Sequence, residues 1–322
     1  MIELRPVEAD ADYEAWARIK TAVVPSEPTT VAEVRKYDGE SGRLLLLADL
    51  DGETVACGIT ARSSFGGRAF MAVRVLPAFR RRGVGHGLVA ALSEHARANG
   101  FDGVNAFVDA REPESIAFAR SFGLQEIDYQ LEQIRVVGDE PAPRPPGGVE
   151  LVALGARRDE LLHAAWPLAQ EGYADMPTPQ PMEVKLDEWL RDEATLPDGS
   201  FVAMEGAEIV GYAGLVERAE EDVAEHGFTV VRRDRRGRGI ARALKRAEIH
   251  WASHNGIGEL VTWTQRGNEA MQATNRSLGY VDRAKVLTFQ GPLVGPDQER
   301  VPGLRPGVRV PRGRQAPEGR LP

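Results

Sequence analysis

The run Arg80-Arg81-Arg82-Gly83-Val84-Gly85 returns in altered form as Arg236-Gly237-Arg238-Gly239-Ile240-Ala241. Both copies fit Arg-x-x-Gly-x-Gly/Ala, follow a β-branched run and open a stretch of helical period. A strand that turns through glycines into a helix leaves N–H groups unpaired at the helix's positive end, a cradle suited to pyrophosphate. Each copy needs its own strand before and helix behind, so the chain must contain two such units. The offset between Arg80 and Arg236 (236 − 80 = 156) also relates Gly58 to Gly214, Asn99 to Asn255, Gly100 to Gly256 and Gly123 to Gly279. Glycine positions follow backbone geometry, so a constant offset across this span is the mark of duplicated domains. The period is far too long for a solenoid.

Composition sets the outer limits. A length of 322 residues suits about two domains. A hydrophobic fraction of 42% and a charged fraction of 27% are ordinary for a globular protein. The net charge of −8 argues against a nucleic-acid partner and favours a cationic or neutral substrate. Cys57 is the single cysteine, which excludes an intrachain disulfide framework and a cysteine-based metal site. With no apolar leader core after Met1 and no apolar run of about 18 residues, a cytoplasmic location without membrane contact is expected. His250 and His254 share the i, i+4 spacing of a metal pair, but no third ligand is recognisable, so no metal is expected.

The Pro-rich stretch 139–148 reads as a semi-rigid linker, which places an N-terminal domain at 1–138 and a C-terminal one at 149–296. Residues 297–322, rich in Pro, Gly and Arg without apolar period, read as a flexible tail. In the first domain, strands are expected at Ile2–Val7, Leu44–Ala48, Thr54–Ala61, Phe70–Val75, Val104–Val108 and Ile127–Val137, with a hairpin turn at Asp51-Gly52. Helices are expected at Asp12–Ala22, after a Thr29 or Thr30 cap, behind Gly83, and at Glu114–Phe122. The second domain repeats the pattern, with strands at Phe201–Met204, Ile209–Leu215, Phe228–Val231 and Leu260–Trp263 and helices at Ala241–Ser253 and Glu269–Leu278. Alternating strands and helices make each unit α/β (α+β), with a mixed sheet flanked by helices.

Val75 through Gly85 resembles motif A of the GNAT superfamily of N-acetyltransferases, and Val231 through Ala241 resembles a second copy, with Arg233 where the family often has proline. The segment from Asn268 to Leu278-Gly279-Tyr280 resembles the family's asparagine-to-Gly-aromatic helix; Glu112 stands at the asparagine position of the first unit. The resemblance implies two tandem GNAT domains, each with a mixed, mostly antiparallel sheet, and acetyl-CoA as co-substrate between splayed strands. By that analogy Val75, Arg80, Arg81, Arg82, Gly83, Val84, Gly85 and His86 form one cofactor loop. Val231, Arg236, Gly237, Arg238, Gly239, Ile240, Ala241 and Arg242, with Asn268, form the other. Paired units of this kind are expected to leave the chain a monomer or weak homodimer.

Acetyl transfer to an amine needs a base for the ammonium group and donors for the developing oxyanion, often a backbone N–H on the strand before the glycine turn. Some family members carry a glutamate on that strand eleven residues before the first motif arginine. In the second unit that residue is Glu225, followed by His226; in the first it is Ala69. The second unit is therefore expected to be catalytic, with Glu225 as base and His226 as the alternate, and the first to be degenerate, binding acetyl-CoA structurally or not at all. The family's tyrosine acid is replaced by Ala119 and Asn275; an asparagine can offer the sulfur a hydrogen bond but no proton. Asp175 or Glu183 is a candidate anchor for a cationic acceptor. The expected reaction is acetyl-CoA-dependent acetylation of a small-molecule primary amine; the alternative is a non-catalytic acyl-CoA-binding or scaffold protein.

Overall fold

The computed structural model describes residues 1–63, 67–178 and 182–295; the expected tail at 297–322 lies outside the described residues. The first unit runs β1 (Ile2–Pro6), α1 (Asp10–Val23), α2 (Val31–Arg35), β2 (Leu44–Leu50), β3 (Glu53–Arg62), β4 (Ala69–Val75), α3 (Val84–Ala98), β5 (Gly103–Asp109), α4 (Pro113–Ser121) and β6 (Gln125–Val136). The second runs β7 (Glu150–Ala153), α5 (Arg158–Ala174), α6 (Leu186–Asp192), β8 (Phe201–Glu205), β9 (Glu208–Glu217), β10 (Val223–Val231), α7 (Ile240–His254), β11 (Glu259–Gln265), α8 (Glu269–Ser277) and β12 (Val281–Pro292).

Local chemistry sets most of these boundaries. Thr30 caps α2, accepting from the Glu33 N–H while Glu33 reaches back to the Thr30 N–H. Asp51 and Gly52, at φ 54° and 88°, form the left-handed two-residue turn that joins β2 to β3. β2 is apolar on both faces because both are covered. Leu46 and Ala48 pack with Leu88 and Leu92 of α3, whereas Leu45 and Leu47 pack with Trp16 and Ile19 of α1. The second unit repeats this sandwich, with α7 on one face of its strands and α5 and α6 on the other.

The strands form one twelve-stranded sheet in the order β1-β2-β3-β4-β5-β12-β6-β11-β10-β9-β8-β7. The expectation of two GNAT units with mixed sheets holds, but the units exchange their last strands. β12, the last strand among the described residues, pairs with β5 of the first unit, and β6 of the first unit pairs with β11 of the second. The two exchanged strands also pair antiparallel with each other from Val281–Ile134 to Gln290–Gln125. Side chains fasten the exchange. Arg283 on β12 grips Glu132 on β6 through two bonds of 2.6 and 2.8 Å and reaches Glu259 on β11 at 2.7 Å. Gln290 on β12 donates to Asn105 on β5 at 3.1 Å.

Each unit contains one parallel pair, and that pair splays. β4 and β5 are paired at Ala69–Val104 and Phe70–Asn105, and β10 and β11 from Val223–Glu259 to Glu225–Val261. Beyond these pairs the strands diverge toward the glycine turns. No helix among the described residues is long and apolar enough to cross a membrane.

Candidate active site

Both glycine turns have the geometry expected from the sequence. Gly83 and Gly239, at φ 85° and 83°, are the N-caps of α3 and α7, and neither has a side chain to occupy the helix's free N–H groups. A Cβ at Gly237 or Gly239 would meet nothing within 4 Å, so the second turn is open on its outer side. Arg81 and Gly237 share one left-handed backbone conformation, at φ 64° and 74°. Glycine adopts it freely, whereas arginine holds it at a cost of about 1–2 kcal/mol. The first turn has aromatic rings packed beside it. The Phe118 ring lies 3.1 Å from the position of a Cβ on Gly85, and Phe118 and Phe122 both pack on the His86 ring. The offset of 156 places Thr274 and Leu278 at these positions in the second unit.

Most motif arginines are engaged within the protein. Arg80 and Arg236 both turn Nε back to the last carbonyls of their strands, Val75 (3.3 Å) and Val231 (2.9 Å), which braces the turn. Arg236 also meets Asp175 at 2.7 Å, and Arg233 makes two bonds to the same carboxylate. These two guanidinium groups pull the Asp175 carboxyl down to about 2. Asp175 therefore braces the turn and is not free to hold an acceptor, and Glu183 is paired with Arg62 at 3.0 Å. Arg238 is bound to Glu205 at 2.7 Å. Asn268 caps α8, its side chain accepting from the Met271 N–H. The backbone N–H groups of the turn, rather than these side chains, are thus the groups available for phosphate.

The parallel strands differ between the units. β4 keeps unbroken register with β3 from Ala69–Arg62 to Val75–Ala56. β10 shifts register against β9 between His226 and Thr229, a bulge at Gly227 and Phe228 that frees backbone groups from the ladder. The bulge lies just beyond Glu225–Val261, where β10 and β11 part.

Glu225 stands at this fork with a side chain 24% exposed, paired with Arg218 at 2.6 Å. Burial raises its carboxyl, and Arg218 pulls it back. His226 points the other way, into the core under α7. Its side chain is fully buried, with Nε2 bonded to the Tyr280 hydroxyl and Nδ1 2.9 Å from the Glu248 carboxylate. Burial and Lys245 hold it well below the usual imidazole range. That environment makes His226 a core residue, contrary to its expected place as alternate base. Asn275 is likewise buried, donating at 2.9 Å to Gln133 on the exchanged strand β6, and Gln133 donates to Asp282 at 2.8 Å. Its amide links α8 to the exchanged strands.

Glu193, just past α6, escapes the sequence reading. Its carboxylate accepts from the Phe228 N–H at the bulge (3.1 and 3.2 Å) and from the Tyr212 hydroxyl (3.1 Å). Burial pushes it up to about 7. A Cβ on Gly227 or Gly214 would come within 2.6 or 3.0 Å of its Oε2. Two glycines facing each other across β9 and β10 were the one sequence signal that something approaches the sheet there.

Two helix-opening glycine turns, each behind a splayed parallel pair, define a tandem acyltransferase. The chain belongs to the Acetyltransferase (GNAT) family, whose pattern it matches over residues 11–124 and again over 159–280. Members of this family use acetyl-CoA as co-substrate. Among curated relatives, a mycothiol acetyltransferase of Thermobispora bispora is 27% identical over 297 residues, 87% of this chain and 95% of that one. A mycothiol acetyltransferase of Catenulispora acidiphila is 26% identical over 226 residues, 68% of this chain and 71% of that one. Among solved structures, a GCN5-related N-acetyltransferase of Sphaerobacter thermophilus superposes with a TM-score of 0.73 at 21% identity, covering 91% of this chain and 96% of that one. A tandem GNAT protein from the clavulanic acid biosynthesis pathway also gives 0.73 at 21% identity, over 92% and 99% of the two chains.

Proposed function

We propose that the second unit transfers an acetyl group from acetyl-CoA to a primary amine of a small molecule, and that the first unit is degenerate. The observation that carries this reading is the asymmetry of the parallel strands. β10 has a bulge and Glu225 at its fork, while β4 has an unbroken ladder and Ala69. The open second turn and the rings of Phe118 and Phe122 packed beside Gly85 and His86 in the first point the same way.

The backbone N–H groups of Gly237, Gly239, Ala241 and Arg242 hold the pyrophosphate at the positive end of α7. The free edges of β10 and β11 line the arm that follows. Bound acetyl-CoA supplies an activated acyl group. Glu225 takes the proton of the acceptor's ammonium group, and its pairing with Arg218 keeps the carboxylate charged and oriented. The relatives named mycothiol acetyltransferase support a small-molecule acceptor.

One observation favours the second reading, a non-catalytic acyl-CoA binder: Asn275 and Ala119 leave no proton donor at the family's acid position. Calorimetric titration with acetyl-CoA beside Gly83→Glu and Gly239→Glu tests the assignment. A single site abolished only by Gly239→Glu is expected. Two sites would make both units cofactor binders and reopen where transfer occurs, and no binding by the folded protein would remove the acetyl-CoA reading. Thiol release with a panel of small amines then separates enzyme from binder.

A further inference from the structure

The Glu193 carboxylate is an acidic group at the β10 bulge that the proposed transfer does not use. It sits on the α5/α6 face of the sheet. The Phe228 N–H it occupies is freed by the only break in the β9–β10 register. Gly214 and Gly227 clear the space for it. A carboxylate oxygen accepting from a backbone N–H beside a splayed strand stands where an acyl carbonyl oxygen could accept.

We propose, resting on acetyl-CoA binding in the second unit, that Glu193 is a stand-in for the acyl group: it fills the Phe228 N–H that the acyl carbonyl takes, and it is displaced with uptake of one proton when acetyl-CoA binds. The new bond is an O–H on the carboxyl group, and the proton comes from the buffer.

The surroundings give the direction. The Phe228 N–H and the Tyr212 hydroxyl on β9 favour the charged carboxylate; burial, Asp192 on α6 and Glu225 on β10 disfavour it. Tyr173 on α5 and Glu248 on α7 also face it electrostatically and bring no positive charge. Arg158 on α5 is turned to the Glu193 backbone carbonyl at 2.6 Å, not to its carboxylate. Losing the Phe228 bond removes a main support of the charged form, so a carboxyl already near 7 becomes protonated. Affinity for acetyl-CoA then falls as pH rises. Between pH 6 and pH 8 the weakening from this group is about tenfold.

The test is calorimetry of acetyl-CoA binding to the whole chain in two buffers of different ionisation enthalpy, for wild type and Glu193→Gln. Comparing the two proteins cancels the ligand's own titration. Near pH 8 the wild type is expected to take up close to one proton more than Glu193→Gln. Its Kd should weaken about tenfold from pH 6 to 8 relative to the variant. Tyr212→Phe removes the other partner of the carboxylate and should move the midpoint of this pH dependence upward, a check that survives if Glu193→Gln fails to fold. Equal proton counts, or a midpoint unmoved in Tyr212→Phe, would overturn the stand-in role and leave acetyl-CoA binding intact. No binding by the wild type would overturn both.

Discussion

Replacing Asn275 with alanine separates a structural amide from a catalytic one. The side chain is fully buried on α8, and its one hydrogen bond goes to Gln133 on the exchanged strand β6. Truncation strands the Gln133 carbonyl oxygen in the core, which costs about 1–3 kcal/mol. The Asn275 carbonyl oxygen is already without a partner, so removing it recovers part of that cost. A net loss of ~2 kcal/mol corresponds to a Tm lower by roughly 3 °C in a chain of 322 residues. Because the amide faces Gln133, kcat for acetyl transfer should stay within about threefold of wild type, against about 100-fold for the loss of a transition-state donor. Scanning calorimetry and a thiol-release assay on the same preparation read both quantities. A Tm within 1 °C of wild type together with a 100-fold loss of kcat would refute this reasoning and put Asn275 at the sulfur.

Glu225→Gln should lower kcat/KM by about 10²–10⁴ and flatten the acid limb of its pH profile, with little change in acetyl-CoA affinity by calorimetry. Glu193 makes stability depend on pH. Its carboxyl is raised in the folded state, so its contribution is fully present below the ordinary carboxylate range and is lost as pH rises toward about 7. Glu193→Gln should therefore gain up to about 3 kcal/mol relative to wild type between pH 5 and pH 8, read from denaturant midpoints; a constant difference would contradict it. Burial pushes the Cys57 thiol up to about 12, so a thiol reagent at pH 8 should label the native protein slowly and the denatured protein at once.

Much of the fold was legible because local chemistry fixes it. The Asp51-Gly52 turn, the Thr30 cap and the two glycine N-caps each require residues that only one backbone geometry favours. The partners of β6 and β12 were not legible. Period-two alternation says that a strand has a covered face, not which edge it joins, and in a duplicated chain either unit's β5-type edge offers a similar ladder. The site divides in the same way. The left-handed turns before α3 and α7 follow from glycine, and the place of Glu225 on β10 from its distance to the turn. His226, one residue further on, lies in the core because alternation along β10 sends neighbours to opposite faces. Glu193 was invisible because it reaches the bulge from outside the motif, through tertiary packing alone.

The exchanged strands also set an order of assembly. About 170 residues of chain separate the end of β5 from the start of β12, the strand that pairs with it. At ~5–20 residues per second a ribosome needs roughly 10–35 s to make that stretch. Throughout that interval β5 lacks β12, and β6 lacks both of its partners β11 and β12 for most of it, so strand edges that the folded sheet covers have no partner strand. The strand that covers the β5 edge in the folded chain is thus made long after that edge itself. A second nascent copy offers that same strand, so domain-swapped dimers are the characteristic misassembly of crowded expression.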